Sequence, residues 1–141
     1  MLRSLIALCA ITLVATVHAE ESTRRWAILA SPEIQKAGVS DFLTVELSQS
    51  LELVEREQLQ QVLAEIELSR LTAADGVGLR LKVGPEFQAE RLIVLTLEPT
   101  PGKSIHLKVV ICETRQGTRL QIFRRAWPPD DPQTLARELA Q

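Results

Sequence analysis

The chain has 141 residues, which is enough for one domain with a buried core and too few for two. Hydrophobic residues make up 45% of the sequence and charged residues 24%, a balance typical of a globular protein rather than a disordered one. The formal net charge of -2 gives no long-range field that would favour nucleic acid or a strongly anionic surface.

The N-terminal segment predicts a signal peptide. Arg3 supplies a positive charge ahead of an apolar run from Leu5 to Val17, and the residues Val17-His18-Ala19 fit the small-x-small pattern that precedes cleavage by a signal peptidase. Because the apolar run is too short to span a bilayer comfortably, a cleaved signal peptide is favoured over a retained anchor. Export of the chain is therefore the first functional expectation.

These boundaries divide the chain into a signal peptide over 1–19, a flexible N-terminus over 20–24 and a single domain over 25–141. Cys9 leaves with the signal peptide, so Cys112 would remain without a partner for an intramolecular disulfide. A lone cysteine in a strand-like run is more often a small core residue than a reactive thiol.

The first part of the domain alternates strand and helix patterns. The run Arg25–Ala30 predicts a first strand. Helical periodicity then begins at Val39, where Ser40 and Asp41 are available to cap the helix, and 51–54 predicts a short second strand.

The clearest helix follows the second strand. Its apolar residues repeat at the spacing of one helical face, namely Leu59, Val62, Leu63 and Ile66. We expect 71–75 to be a connection and 77–88 to be a further helix. That helix should kink or break at Gly84-Pro85, because proline removes a donor and clashes with the preceding turn.

The C-terminal half has the pattern of a β-meander. The continuous apolar run 92–97 predicts a central strand buried on both faces, and 105–112 and 119–127 predict two further strands. Asp131-Pro132 then has the signature of a helix start, with a capping carboxylate followed by proline. The predicted order is β-α-β-α-α-β-β-β-α, an α/β (α+β) fold with a mixed sheet covered by helices.

The segment 51–65 resembles the V-x-E-R-x-x-L-x-x-V-L-x-E segment of curli-assembly CsgG-like proteins. Lys82-Val83-Gly84 stands where that family has K-L-G, and 89–94 stands where it has G-A-D-Y-L-V-V. The similarity extends over nearly all of 25–141. It implies a fold like that of anticodon-binding domains and a role in assembly and secretion rather than catalysis. It also implies a periplasmic or outer-envelope-associated location in a bacterium.

The same resemblance highlights Glu55, Arg56 and Leu59. Glu55 and Arg56 can be interpreted as a recognition pair, but a structural role at the start of the helix is favoured, because acidic residues are stabilising there. The pore-forming members of the family carry long amphipathic hairpins and a lipidated cysteine, which this chain lacks. It is therefore expected to represent the α/β domain alone and to form no transmembrane pore by itself.

No catalytic constellation can be assembled from the predicted elements. His106 and Cys112 would share one face of a strand but lie too far apart along it to form a nucleophile pair. No group of His, Cys and carboxylate residues has the spacing of metal ligands. We therefore expect a non-enzymatic protein with no cofactor and no metal site.

The stretch 103–127 is rich in basic residues, and alternation predicts which of them share a strand face. If the two strand faces coincide, they form a basic-aromatic surface that consists of Lys108, Arg119, Phe123, Arg125 and Trp127. Arg and Trp are favoured at protein interfaces. The alternative is a solvated basic face on which Trp127 covers the core.

These observations favour a protein-interaction module that binds an envelope protein, or a second copy of itself, through that surface. The runner-up is a binding module for an anionic envelope ligand on the same side chains. Nucleic-acid binding is disfavoured by the predicted export and by the net negative charge.

Overall fold

A computed structural model describes residues 24–63 and 67–141 of the chain. The predicted signal peptide and residues 20–23 of the predicted flexible N-terminus lie outside the described residues. Ile66, which the periodicity predicts on the apolar face of a helix, also lies outside them.

Five strands form one mixed sheet in the order β2-β1-β3-β4-β5. β1 pairs in parallel with β2 and β3, whereas β3, β4 and β5 form an antiparallel meander. The strands are β1 Arg25–Ala30, β2 Glu52–Leu53, β3 Arg91–Pro99, β4 Ile105–Glu113 and β5 Arg119–Trp127. The predicted α/β class with a mixed sheet is confirmed.

Six helices cover the two faces of this sheet in the described part of the chain. They are α1 Pro32–Lys36, α2 Val39–Ser48, α3 Arg56–Leu63, α4 Leu68–Thr72, α5 Val77–Phe87 and α6 Pro132–Leu139. The short helices α1 and α4 are absent from the predicted order, which is corrected to β-α-α-β-α-α-α-β-β-β-α. A single helical turn is too short to display a 3.6-residue period in the sequence.

The strand β3 separates two hydrophobic clusters. Its residues Leu92 and Val94 point to one side of the sheet, and Ile93 and Leu95 point to the other, all of them buried. We call the side packed against α3, α4 and α5 the α3–α5 face, and the side packed against α1, α2 and α6 the α2–α6 face. The prediction of a central strand buried on both faces is confirmed.

The start of α2 differs from the prediction. Gly38 is its N-cap residue and has a φ of +79°, a left-handed conformation that glycine adopts at little cost. Because the chain turns so tightly after α1, Ser40 and Asp41 fall inside the first turn and neither caps the helix. Ser40 is buried, and Asp41 forms an ion pair with Arg56 of α3.

The predicted connection at 71–75 is also corrected, because Leu71 and Thr72 belong to α4 and are buried. Helix α5 continues through Pro85 instead of breaking there. Pro85 has no backbone N–H to donate to the carbonyl four residues earlier, so the helix continues to Phe87 with one hydrogen bond fewer. The C-terminal α6 begins as predicted, with the Asp131 side chain accepting a hydrogen bond from the backbone N–H of Gln133 at 3.1 Å.

One buried charge holds the α3–α5 face together. Arg80 of α5 is only 1% exposed, and its Nε donates to the carbonyl of Gly117 at 2.6 Å. Its Nη1 donates to the carbonyls of Leu71 and Ala73 at 2.7 and 2.8 Å. These acceptors lie at the end of α4 and in the β4–β5 loop, so one side chain joins two helices to the segment that leads into β5.

Candidate interaction surface

The register of β4 and β5 places the residues of the predicted basic-aromatic surface on opposite faces of the sheet. Phe123 lies opposite Val109, which places Phe123, Arg125 and Trp127 on the α2–α6 face. Lys108 belongs to the opposite, α3–α5 face of the sheet. The expectation that these side chains form one surface is therefore wrong.

Arg119 is displaced by an irregularity in the same ladder. The register shifts between Ile111 and Cys112, so that Cys112 lies opposite Arg119 while Ile111 lies opposite Gln121. Strict alternation predicts Arg119 on the same face as Phe123, but the shift moves it to the α3–α5 face, because one extra residue reverses the side to which a strand residue points. There its Nη1 donates to the carbonyl of Thr72 at 3.1 Å.

An acidic residue of β3 forms ion pairs with two of the basic side chains. Glu98 lies 2.9 Å from Nε of Arg124 and 3.6 Å from Nζ of Lys108. The hydrogen bond from Arg124 and the charges of both cations hold the pKa of Glu98 below its ordinary value. This part of the α3–α5 face is therefore a mixed-charge cluster and not a purely basic one.

The aromatic side chains of β5 contribute to the core. Phe123 and Trp127 are half-buried and pack against the cluster on the α2–α6 face. Arg125 between them is exposed, and its Nη1 donates to the carbonyl of Arg124 at 3.0 Å. That contact satisfies one backbone acceptor of β5 from within the strand.

The surface that the helices leave open is β5 itself. β5 ends the sheet order, so one edge of this nine-residue strand has no neighbouring strand in the described part of the chain. Leu120 and Ile122 are 49% and 41% exposed, and no residue of β5 is fully buried. We call the unpaired backbone edge of Arg119–Trp127, together with these two apolar side chains, the β5 edge.

The strand at the other edge of the sheet, β2, offers much less backbone for pairing than β5 does. β2 pairs with β1 over two residues only, so it presents little backbone for another strand. Short edge strands are one of the ways in which proteins prevent edge-to-edge association, whereas a long edge with exposed apolar side chains favours it. The two edges of this sheet therefore differ in what they can bind.

The residues highlighted by the family resemblance lie elsewhere. Arg56 and Leu59 line a cavity of about 170 Å³ between α2, α3 and β1. Leu59 belongs to the core, Arg56 pairs with Asp41 across the two helices, and Glu55 is exposed. Ligand pockets usually measure about 300–1,000 Å³, so this cavity is small for a cofactor or metabolite site.

A wider groove of about 810 Å³ opens at the carboxyl ends of β1 and β3. Ligands of open α/β sheets often bind at such an end, where the strand order changes direction. The charged side chains that line the groove are Glu33 and Glu67, with no basic residue among the described lining residues. This location therefore does not suit an anionic ligand.

The two side chains considered for catalysis have different surroundings. Cys112 is fully buried, and burial raises the pKa of its thiol, so the unreactive protonated form is favoured. His106 lies on the same face of β4, opposite Glu98. Within 24–63 and 67–141, no group of three or more His, Cys, Asp or Glu residues is placed to hold a metal ion.

None of the helices in the described ranges is long and apolar enough to cross a membrane. Comparison with protein-family models gives no match, and comparison with curated protein sequences gives none either. Among solved structures, the chain is similar to the lipoprotein GNA1162 from Neisseria meningitidis, with a TM-score of 0.48 and 9% sequence identity. The similarity covers 83% of this chain and 91% of that chain. These values assign neither a family nor a function, and the CsgG-like resemblance stays a prediction.

Proposed function

We propose that this chain is an exported, non-catalytic module of the bacterial envelope that binds a protein through the β5 edge. The observation that carries the proposal is the exposure of Leu120 and Ile122 on a nine-residue strand whose outer backbone has no neighbouring strand in the described part of the chain. Large apolar side chains at such an edge favour contact with another polypeptide.

The chemistry of an edge strand favours a protein partner over a small ligand. An unpaired strand offers alternating N–H donors and C=O acceptors along its length, and a second extended chain can satisfy all of them. Neighbouring side chains on one face then give specificity through cross-strand contacts. Leu120 and Ile122 supply the apolar part of such contacts.

The envelope location and the assembly role have a separate basis. They rest on the signal-peptide pattern of 1–19 and on the resemblance of 51–65 to CsgG-like proteins. The most specific version of the proposal is a role related to curli secretion, and it depends on that resemblance alone. The absence of catalysis is proposed because His106 and the buried Cys112 have no geometry for nucleophilic chemistry.

Binding of an anionic envelope ligand is the less favoured alternative. Glu98 contacts Lys108 and Arg124, and Arg119 donates to a backbone carbonyl, so the basic side chains do not converge on one open position. The dependence of binding on salt concentration distinguishes the two functions. A charge-driven site should weaken steeply as ionic strength rises, whereas strand pairing with apolar contacts should not.

Site-specific photo-crosslinking in the native host tests the proposal. A photoreactive side chain would be introduced into the full-length chain at Ile122, and at Val45 in a matched control. Val45 is also an exposed apolar residue, at 62%, but it lies on α2. We expect a discrete protein adduct from position 122 and none from position 45.

Circular dichroism of both purified proteins would show whether the substitutions preserve the fold. Equal crosslinking at the two positions, or none at position 122 in a folded protein, would remove the β5 edge from the proposed function.

A further inference from the structure

We infer that the partner of the β5 edge is a second copy of this chain, joined by antiparallel β5–β5 pairing centred on Phe123. This inference rests on the proposed function and names its partner. The two copies would be related by a two-fold axis perpendicular to the sheet, which makes the contact isologous and closed. β2 is too short to continue the association at the other edge, so the product is a dimer and not a filament.

The regular part of β5 contains this centre. The strand alternates without interruption from Gln121 to Trp127, beyond the register shift that leaves Leu120 as an extra residue, and pairing centred on Phe123 joins Gln121–Arg125 of both copies. A perpendicular two-fold axis keeps each sheet face on its own side, which requires the centre to fall on a residue rather than between two residues. Of the neighbouring centres, Ile122 would join only Gln121–Phe123 of this regular part, and Arg124 would join all of Gln121–Trp127 but is disfavoured by charge.

The positions of the arginines in β5 favour the same register. With Phe123 at the centre, Ile122 lies opposite Arg124 and Gln121 lies opposite Arg125 of the other copy. No arginine then lies directly opposite an arginine. If Arg124 or Arg125 were at the centre, that arginine would lie directly opposite the same arginine of the other copy. Like charges directly opposite one another are destabilising. Arg124 is in addition paired with Glu98 of its own chain, which reduces repulsion between diagonal neighbours.

The apolar side chains also complement each other in this register. Phe123 lies opposite Phe123 of the other copy, and both are on the α2–α6 face. Aromatic pairs across strands are stabilising. Ile122 lies beside the aliphatic part of Arg124 on the other face, where its exposed surface is covered.

Disulfide trapping tests the register directly. Ile122→Cys and Arg124→Cys would be introduced into separate full-length chains, and each would be oxidised alone and in a mixture. Opposite residues have Cβ atoms about 4.5–5.5 Å apart, whereas residues offset diagonally lie about 7–8 Å apart, which is too far for a disulfide. We expect a covalent dimer from the mixture and none from either variant alone. The parent chain, oxidised in parallel, measures the background from Cys9 and Cys112.

A charge substitution supplies a second readout that does not depend on oxidation. In Ile122→Glu the introduced carboxylate lies opposite Arg124, so self-association should strengthen; in Ile122→Lys it should weaken. The symmetric dimer contains two such pairs, so we expect the dissociation constant to change by about 2- to 30-fold in each direction, measured by sedimentation equilibrium.

The outcomes separate this inference from the proposed function. A disulfide formed by either variant alone would overturn the Phe123-centred register. A monomer at all concentrations, with no trapped dimer, would overturn self-association. In that case a photo-crosslink from Ile122 to a different protein would keep the proposed function, and no crosslink would overturn both.

Discussion

The strands β3 and β5 each have nine residues, yet they have opposite environments. Four consecutive residues of β3, Leu92–Leu95, are buried between two layers of helices, whereas β5 has no fully buried residue. The helices therefore close around the centre of the sheet and leave its final strand partly open. Burial of β3 supplies stability, and the open edge of β5 is the part of the sheet available for binding.

The largest expected effect concerns the side chain that joins β5 to the closed region. Arg80→Ala removes the donor from three backbone carbonyls and leaves a cavity, so we expect a loss of about 3–5 kcal/mol in the free energy of unfolding. Urea denaturation would measure it. Arg70→Ala on the exposed side of α4 is the matched control, with an expected change of about 0.5 kcal/mol or less.

Arg80→Lys sharpens this prediction. Lysine keeps the positive charge but has no planar group with which to reach the carbonyls of Gly117, Leu71 and Ala73 together. We expect it to be nearly as destabilising as alanine. A lysine variant as stable as the parent would mean that charge alone, and not the hydrogen-bond geometry, is what α5 contributes at this position.

Truncation of one apolar residue on each strand tests the comparison itself. Leu95→Ala in β3 should cost about 2–5 kcal/mol, because it leaves a cavity in a fully buried site. Ile122→Ala in β5 should cost about 0.5 kcal/mol or less in the monomer, because that side chain is exposed. Thermal or urea unfolding in dilute solution measures both. Similar costs at the two positions would contradict the description of β5 as the open strand.

The smallest effect is a pH dependence. The pKa of Glu98 is lowered in the folded state, so its contribution to stability is present above its ordinary pKa of 4.5 and is lost as the pH falls below that value. Glu98→Gln should therefore lower the unfolding free energy at pH 7 and match the parent at strongly acid pH. The difference should shrink in high salt because the pair is solvent-accessible. A constant difference at all pH values would mean that the charge of Glu98 is not responsible.

The sequence predicts the elements whose signals are local. The apolar run of β3 and the Asp131-Pro132 start of α6 are each contained within a few residues, and the structure has both of them. The short helix α4 is missed because Leu68 and Leu71 cover only one turn and are held by tertiary packing. The burial of Arg80 is missed because its acceptors, which lie 7, 9 and 37 residues away along the chain, belong to segments outside its own helix.

The candidate surface shows where alternation alone is insufficient. Alternation groups the residues of β5 correctly from Gln121 to Trp127, but it cannot show which of them share a face with Lys108 on β4. Nor does it indicate the register shift at Ile111/Cys112, which moves Arg119 to the other face. The exposure of the β5 edge depends on the order of strands in the sheet, which no local pattern determines.

Amide hydrogen exchange of the full-length chain, measured at low and high protein concentration, tests the role of β5 most directly. The amides of Arg91–Leu95 in β3 should exchange slowly at both concentrations, because β1 and β4 pair with this part of the strand on its two sides. In β5, alternate amides should exchange rapidly in dilute solution and become protected at high concentration, when the second copy pairs with them. β5 exchange that is unchanged by concentration would contradict the second copy as the partner, and β5 exchange as slow as that of β3 in dilute solution would contradict the open β5 edge itself.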